Sequence, residues 1–520
     1  MTHRIVDPNS DSADPSQAAA VALLANPATH GGVPVVRIDT PISHVFIAGP
    51  NTYKLKRAVK RNFVDYSTVE KRRIQCEREV EINSAFAPGI YKGVVAIRRD
   101  ECGLQLGVDG KAVDYVVAMA TFDPAQTFDR LAEAGKLTAR QSRELADVIA
   151  AIHRAAPRAA QFGGSKNVAQ TISQVAEAIL YAAAGRYLTG PVRAWRTAAE
   201  SALESVRDQI DARRRHGYVR RCHGDLHLAN ICLFENRPTP FDAIEFSDEI
   251  ASIDVLYDLA FTVMDLLKRN EMVHANTLLS RYLNITRDYS GLSLLPLFVS
   301  LRAAVRAMVA ASDDDVQSGT NDACTRLQFA LACLGIGHAR KDTPPPKLIA
   351  IGGLSGSGKS TLARRLAPVI PGLCGAVTIR SDVCRKRLFG IGPEVPLPDS
   401  AYTPDISRRV YTLLMRDAAR ALRSGTSVIL DATFIEGEKT AGLEVLARRA
   451  GASFAGLWLS LDLATLQQRI SARGPDASDA TPAVAAAQWR SVRENPAWVK
   501  LDAGRRPEDV EAEARAALGL

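Results

Sequence analysis

The spacing of apolar and polar residues changes twice along the chain. Residues 1 to 38 are rich in Ala, Pro, Ser and Asp without a sustained period, which predicts a loosely ordered leader. HVFIAGPNTYKLKRAV then alternates on both sides of a Gly-Pro-Asn turn, the signature of a β-hairpin. A helix is predicted from Thr68 to Phe86, then strands in YKGVVAI and DYVVAMATF. From Thr127 the period lengthens. ARQSRELADVIAAIHRAA and SLRAAVRAMVAA carry apolar residues at helical spacing, interrupted only by VRRCHGDLHLANICLF and TPFDAIEF. A small sheet followed by a mostly helical lobe is expected. After GHARKDTPPPK, whose consecutive prolines favour an extended spacer, strand and helix alternate: KLIAIGG, a Gly-rich turn, STLARRLA, VTIRSD, a long helix through Arg423, SVILDAT, FAGLWLSL and WVKLDA. Alternation of this kind predicts a parallel sheet covered on both faces. The expected boundaries are a leader over 1–38, a domain over 39–335, a Pro-rich linker over 336–346 and a second domain over 347–520.

Composition narrows the class. At 520 residues the chain exceeds one hydrophobic core, and 47% apolar with 23% charged residues excludes a disordered, fibrous or small disulfide-stapled protein. A net charge of +8 over this length permits anionic substrates without implying nucleic acid. The eight cysteines form no C-x-x-C pair and no His cluster accompanies them, so neither a disulfide framework nor a structural metal site is expected, and a reducing cytoplasm fits. The N-terminal run VALLA is too short for a signal peptide. Leu294 to Ala311, the most apolar stretch, is interrupted by Arg302 and Arg306, so no membrane span is expected.

Gly353-Leu-Ser-Gly-Ser-Gly-Lys-Ser360 lies after an apolar strand and opens a helix, the context a P-loop requires. Gly353, Ser355, Gly356, Ser357, Gly358, Lys359, Ser360 and Thr361 are the expected phosphate cradle: backbone amides face the phosphates, Lys359 reaches the β and γ groups, and Ser360 holds Mg²⁺. Asp431 ends the strand SVILD and fits a magnesium-orienting role. Asp382 ends VTIRSD, where it could accept the proton of an attacking hydroxyl or simply cap the helix near Val383. Arg469 and Arg473, one turn apart before a Gly/Pro-rich segment, suit a lid closing over the transferring phosphoryl group, or a solvated face. This half, residues 347 to 520, resembles the P-loop kinase group of gluconate kinase, polynucleotide 5′-kinases and zeta-toxin-like kinases, with their AAA-type ATPase relatives. The resemblance implies phosphoryl transfer to a hydroxyl.

HGDLHLAN, with Asp225 and Asn230, and then Asp242 in FDAIEF supply a carboxylate, an amide and a second carboxylate between short apolar runs. Mg-ATP phosphoryl transfer calls for that set: Asp225 positions the hydroxyl and accepts its proton, while Asn230 and Asp242 hold the metal. Over residues 40 to 335 the chain resembles the aminoglycoside phosphotransferase and choline kinase relatives of protein kinases, with Gly224 where protein kinases have Arg. The resemblance implies a strand lysine on the α/β-phosphates. Lys54 and Lys56 share one face of TYKLKR, with Lys56 slightly favoured. It also implies Glu79 as the lysine's partner and a hinge near Met119 for adenine. His223 is expected to be structural. Glu245 is open between a place near the metal and a local salt bridge, His227 is unassigned, and Asp254 and Asp258 are expected to brace the loop. AGPN has a single glycine, so the dense Gly-rich loop of protein kinases is absent.

The expected fold class is therefore two-domain: an N-terminal protein-kinase-like α+β bilobal fold and a C-terminal α/β P-loop parallel-sheet kinase fold. Bacterial fusions of an aminoglycoside-phosphotransferase-like half with a P-loop half are the nearest whole-chain resemblance. A bifunctional ATP- and Mg²⁺-dependent kinase acting on hydroxyls of small polar metabolites is the leading reading. No acidic cluster in the helical lobe favours a cationic aminoglycoside. One alternative is a polynucleotide 5′-hydroxyl kinase gripping nucleic acid through Arg385, Arg387, Arg408 and Arg409; nucleic acid is permitted, not favoured. The other makes the N-terminal half a non-catalytic, nucleotide-binding regulator.

Overall fold

The computed structural model describes residues 4–6, 17–61, 64–101, 103–107, 109–182, 184–312, 315–335, 345–435, 438–472, 477–492 and 497–520. It divides into two compact units. One comprises Met1–Leu137, Ala151–Asp265 and Arg302–Leu327; the other comprises Thr138–Ala150, Leu266–Leu301 and Gln328–Leu520. The chain thus enters the second unit three times, each time before its Pro-rich run.

The first unit opens with an antiparallel sheet in the order Arg4–Val6, Val35–Asp39, Ser43–Ala48, Asn51–Lys56, Lys111–Ala120, Tyr91–Asp100 and Gly103–Leu106. The predicted hairpin is present, pairing Ala48 with Asn51 around Gly49 and Pro50. Residues 17 to 38 are built into this sheet rather than forming a loose leader. Helix Ala18–Ala25 buries Ala20, Val21 and Leu24 in a cluster with Phe46, Leu55 and Val116, and Gln17 donates to the Lys56 carbonyl at 2.9 Å and to Asp114 at 2.8 Å. Val21, Leu24 and Ala25 of VALLA are therefore core material, removed from water on folding. Helix Val69–Phe86 begins where predicted, with the Lys71 amide bonded to the Thr68 hydroxyl at 3.3 Å. Two short antiparallel ribbons, Val219–Arg221 with Ser252–Asp254 and Ile231–Phe234 with Arg237–Pro240, frame the HGDLHLAN segment.

The second unit is organised on a five-stranded parallel sheet in the order Val377–Arg380, Val428–Asp431, Lys347–Gly353, Ser453–Ser460 and Val499–Asp502. The central strand, Lys347–Gly353, is buried throughout after its first residue, as a strand covered on both faces must be. Among the described residues no sixth strand pairs with the outer edge of Val377–Arg380. A parallel strand sends only half its amides and carbonyls to its neighbour; here Val377 donates to Ser427 of the adjoining segment. Helix Met272–Thr286 answers the rest with polar residues spaced one turn apart. Asn276 donates to the carbonyls of Cys374 at 2.7 Å and Ala376 at 2.8 Å, the Thr378 amide approaches the Ser280 hydroxyl at 3.4 Å, and Asn284 donates to the Thr378 carbonyl at 3.1 Å. Below them Asp417, fully buried, pairs with Arg387 at 2.7 Å and Arg287 at 3.1 Å. The edge is covered by side chains in place of a strand.

Among the described residues no disulfide forms; Cys76, Cys222, Cys232, Cys324, Cys333, Cys374 and Cys384 are free thiols. One segment, Tyr289–Ala311, is long and apolar enough by length and composition to cross a membrane, yet 67% of its most apolar window is buried inside the protein, which is where a core helix places it.

Candidate active sites

In the first unit the site is assembled around paired charges. Lys54 and Lys56 do share one face of strand Asn51–Lys56, and both reach Glu79 on the first long helix, at 2.8 and 2.6 Å. Their other partners separate them. Lys54 bonds Asp242 at 2.6 Å, whereas Lys56 bonds Glu245 at 2.5 Å, with the Tyr66 hydroxyl also on Glu245 at 3.1 Å. Lys56 is 1% exposed and Lys54 14%. The geometry thus favours Lys54 over Lys56 as the lysine that meets a nucleotide, and gives Lys56 the task of holding two buried carboxylates together. Glu245 sits in that buried salt bridge. Burial opposes both ammonium charges, but Asp242 and Glu79 raise Lys54 well above its ordinary pKa, as Glu245 and Glu79 do Lys56.

HGDLHLAN is shaped by its own histidines. The Asp225 amide donates to His223 Nδ1 at 3.3 Å, which leaves Nε2 to donate to the Phe241 carbonyl at 2.9 Å. Burial holds His223 below its usual pKa, so this fully buried ring is a neutral strut and not a base. Asp258 lies beneath and accepts from the amides of His223 at 3.2 Å and Gly224 at 2.8 Å; it braces the loop as expected. Asp254 instead pairs with Arg213 at 2.7 Å and bonds the Leu256 amide at 2.9 Å. His153, Cys222 and Asp258 bring ligand-type atoms within 4.8 Å of one another. Asp258 is already committed to the two amides and to His153 at 3.2 Å, so the group closes on itself as a brace.

Asp225, Asn230 and Asp242 converge. Asn230 Nδ2 donates to Asp225 Oδ2 at 3.1 Å, turning its carbonyl oxygen the other way, and the Phe241 amide bonds the Asn230 carbonyl at 2.9 Å, which sets Asp242 alongside. Asp242 has φ 61°, a left-handed conformation uncommon for a non-glycine residue and often found where function imposes it. Burial opposes ionisation of Asp225, but His227 and Arg306 outweigh it and hold the carboxyl below the usual carboxylate range. His227 Nε2 lies 3.5 Å from Asp225, while its Nδ1 accepts from the Ala229 amide. Near the expected hinge, Met119 is 7% exposed and Thr121 donates to the Pro50 carbonyl at 3.1 Å.

The second unit's site is contiguous. Gly353 and Gly356 adopt φ 135° and 86°, and a Cβ on Gly353 would meet the Leu459 carbonyl at 2.7 Å, one on Gly356 the Leu466 carbonyl at 2.9 Å; only glycine turns the loop there. Ser360 Oγ bonds Asp431 Oδ2 at 2.6 Å, Arg380 reaches the same oxygen at 3.1 Å, and Lys359 Nζ rests on the Leu354 carbonyl at 2.8 Å. Ser357 Oγ is buried without a hydrogen-bond partner among the described residues. Gly358 ends the loop and Thr361 is exposed on the following helix. Asp382 stands in the first turn of helix Ser381–Leu388 but makes no capping bond. Burial, with Asp431 adding to it, raises its carboxyl above the usual range against the pull of Arg380 and Lys359. That suits a proton acceptor.

Some placements differ from expectation. Arg469 donates to the Ala503 carbonyl at 3.0 Å and so ties its helix to the last strand; Arg473 lies outside the described residues. Arg385, 8% exposed, bonds the Ala401 carbonyl and stacks on Tyr402, Arg387 is paired with Asp417, and Arg408 with Asp405. Arg385 and Arg387 are thus held within the protein, while Arg408, in an exposed pair, and Arg409 lie at the surface. Sequence reading missed Gln488, whose Oε1 accepts from the Ser355 amide at 2.9 Å; no spacing rule links a helix residue to a loop 133 positions away.

Comparisons with known proteins agree with this geometry. The model of the phosphotransferase enzyme family matches residues 66–295, and that of an AAA domain matches residues 348–496. Among solved structures, a choline/ethanolamine kinase family protein from Mesorhizobium loti is 13% identical, covering 61% of this chain and 99% of that one at TM-score 0.34. A gluconokinase from Sinorhizobium meliloti is 21% identical, covering 34% and 93% at TM-score 0.25. The uncharacterized protein Rv2004c of Mycobacterium tuberculosis is 30% identical over 459 residues, 86% of this chain and 88% of that protein. The chain belongs to the family of that mycobacterial protein, and in it a domain matching the phosphotransferase enzyme family precedes a P-loop domain matching the AAA model.

Proposed function

We propose that the protein is a bifunctional kinase, each domain transferring the γ-phosphoryl group of ATP to a hydroxyl of a small polar molecule. The observation that carries the reading is the meeting of Lys54, Glu79, Asp225, Asn230 and Asp242 at one place, from segments up to 188 positions apart. Packing alone gives no reason to gather one lysine, one amide and three carboxylates there. Asn230 and Asp242 in the first domain, and Ser360 and Asp431 in the second, offer the oxygen donors that Mg²⁺ takes. The orphaned Ser357 hydroxyl and the open turn of the P-loop fit a phosphate group. Mg²⁺, bound with ATP, neutralises charge on the β- and γ-phosphate oxygens.

The chain's own residues do the rest. Lys54 lies where it can leave Asp242 for the α/β-phosphates while Glu79 keeps it oriented. Asp225, ionised and 26% exposed, aligns the acceptor hydroxyl. The acceptor oxygen bonds to the γ-phosphorus, the bond from that phosphorus to the bridging oxygen breaks, ADP departs, and the hydroxyl proton passes to Asp225. In the P-loop domain Lys359 takes the phosphate side and Asp382 the proton. The commitment of Arg385 and Arg387 to protein partners supports a small acceptor over a polynucleotide.

The test incubates wild type, Asp225→Asn and Lys359→Ala with Mg-ATP and a metabolite extract, and seeks by mass spectrometry species heavier by one phosphate. Separate sets of lost products are expected. Loss of every product in Lys359→Ala with none lost in Asp225→Asn would make the first domain a regulator instead.

A further inference from the structure

The helical lobe places beside Asp225 a cation, Arg306, whose hydrogen-bond donors the reaction above does not use. Arg302 and Arg306 lie four apart on helix Leu295–Ala311 and so project from one face, about one turn apart. Arg302 is fixed at the base of the catalytic loop. It donates to the Tyr257 carbonyl at 3.0 Å, stacks on Tyr257 and Phe261 at 3.8 and 4.7 Å, and lies 3.9 Å from Asp258, which holds the His223 and Gly224 amides. One turn on, Arg306 is drawn to Asp225 itself, and to Asp265 and Asp322 beyond it.

Its neighbours are engaged elsewhere. Asp265 accepts from the Leu228 amide at 3.1 Å, Asp322 is paired with Arg326 at 2.8 Å, and Asp225 has Asn230 at 3.1 Å and His227 at 3.5 Å. Arg306 is half-buried and makes no hydrogen bond or ion pair with any described residue. A guanidinium carries five N–H donors in a planar fork, and no Arg306 nitrogen is among the fully buried unpaired atoms, so the fork is open to a ligand. The fork matches a carboxylate or phosphate.

We propose that Arg306 binds an anionic substituent, carboxylate or phosphate, of the alcohol that Asp225 prepares for phosphorylation, so that the first domain's acceptor is a negatively charged hydroxy compound. The inference rests on the phosphotransferase reading of that domain and adds the acceptor's charge. Transfer is otherwise unchanged: the hydroxyl oxygen gains the phosphoryl group, ADP leaves and the proton goes to Asp225.

The experiment splits a metabolite extract on an anion-exchange resin into retained and unretained pools and incubates each with the full chain and Mg-ATP. Products that vanish in Asp225→Asn belong to the first domain. The expected result is an Asp225-dependent product from the retained pool. With that acceptor purified, Arg306→Gln raises its KM about 30-fold, Arg306→Lys recovers part of the loss, and kcat and the KM for ATP stay near wild type. Treating the retained pool with phosphatase, then removing the phosphatase, separates the sources: a phosphate-bearing acceptor is lost and a carboxylate-bearing one remains. Asp225-dependent product from the unretained pool alone, or an acceptor KM unmoved in both Arg306 variants, overturns the proposal. No Asp225-dependent product from either pool removes the phosphotransferase reading itself, and this inference with it.

Discussion

The two candidate sites address the same chemical group by different construction. In the P-loop domain, residues 353 to 361 form the cradle in one stretch of chain, to which Asp431 is added from a strand and Asp382 and Gln488 from helices. In the kinase-like domain no two of Lys54, Glu79, Asp225 and Asp242 share a segment, and the pieces are held by attraction between opposite charges taken out of water. A contiguous cradle depends on backbone conformation, so its weak points are glycines. A dispersed one depends on charge balance, so removing a single partner leaves others buried and unopposed.

This contrast can be broken or sharpened experimentally. The largest effects are on turnover: Lys359→Ala and Asp225→Asn are each expected to cut their own domain's product formation by about 10³-fold and leave the other's products in place, read by product-resolved mass spectrometry. Next comes Lys56→Met, which leaves Glu245 without its cation and Glu79 with Lys54 alone. It is expected to cost about 3–5 kcal/mol of stability, seen as a lowered denaturant midpoint, whereas Arg73→Met, which removes only exposed pairs with Glu70 and Glu77, is expected to leave the midpoint nearly unmoved. Equal losses from the two would deny that charge balance holds this site together. Asn276→Leu leaves the Cys374 and Ala376 carbonyls unpaired and is expected to cost about 2 kcal/mol, with the P-loop domain's amide exchange quickening first along Val377–Arg380.

The smallest expected effect is a pH slope. His223 is held neutral, with its pKa below the ordinary 6.5, so the unfolded chain binds a proton that the folded one refuses. Its contribution is complete above pH 6.5 and declines as pH falls toward the folded value. His223→Gln is expected to flatten that part of the stability–pH curve by no more than about 1 kcal/mol, measured by denaturation between pH 7.5 and 5.

Legibility in the sequence followed the same division. Gly353 to Ser360 and the strands around it could be placed from local pattern, because loop, strand and helix each have a short-range cause. Asp225 and Asn230 were readable from their spacing. The choice between Lys54 and Lys56 was not, because both lie on one face of one strand and what separates them is Asp242 and Glu245, nearly 190 positions away. Residues 17 to 38 misled for a related reason. Alanine-rich helices have weak polarity contrast, and Ala18–Ala25 gains its place only by packing on a sheet formed later in the chain. Arg387 read as a nucleic-acid contact because its buried partner Asp417 lies 30 positions on, with no motif to mark it.

The polar stripe of helix Met272–Thr286 bears on how the protein can be taken apart. A cut at the proline run would release Lys347–Leu520 with the outer rim of Val377–Arg380 bare, its carbonyls and amides seeking any strand at hand. Such a fragment is expected to self-associate, and supplying a peptide spanning Met272–Thr286 should disperse it. Excision and grafting of the P-loop half must therefore carry this helix along, although it is encoded some 60 residues upstream of the apparent seam.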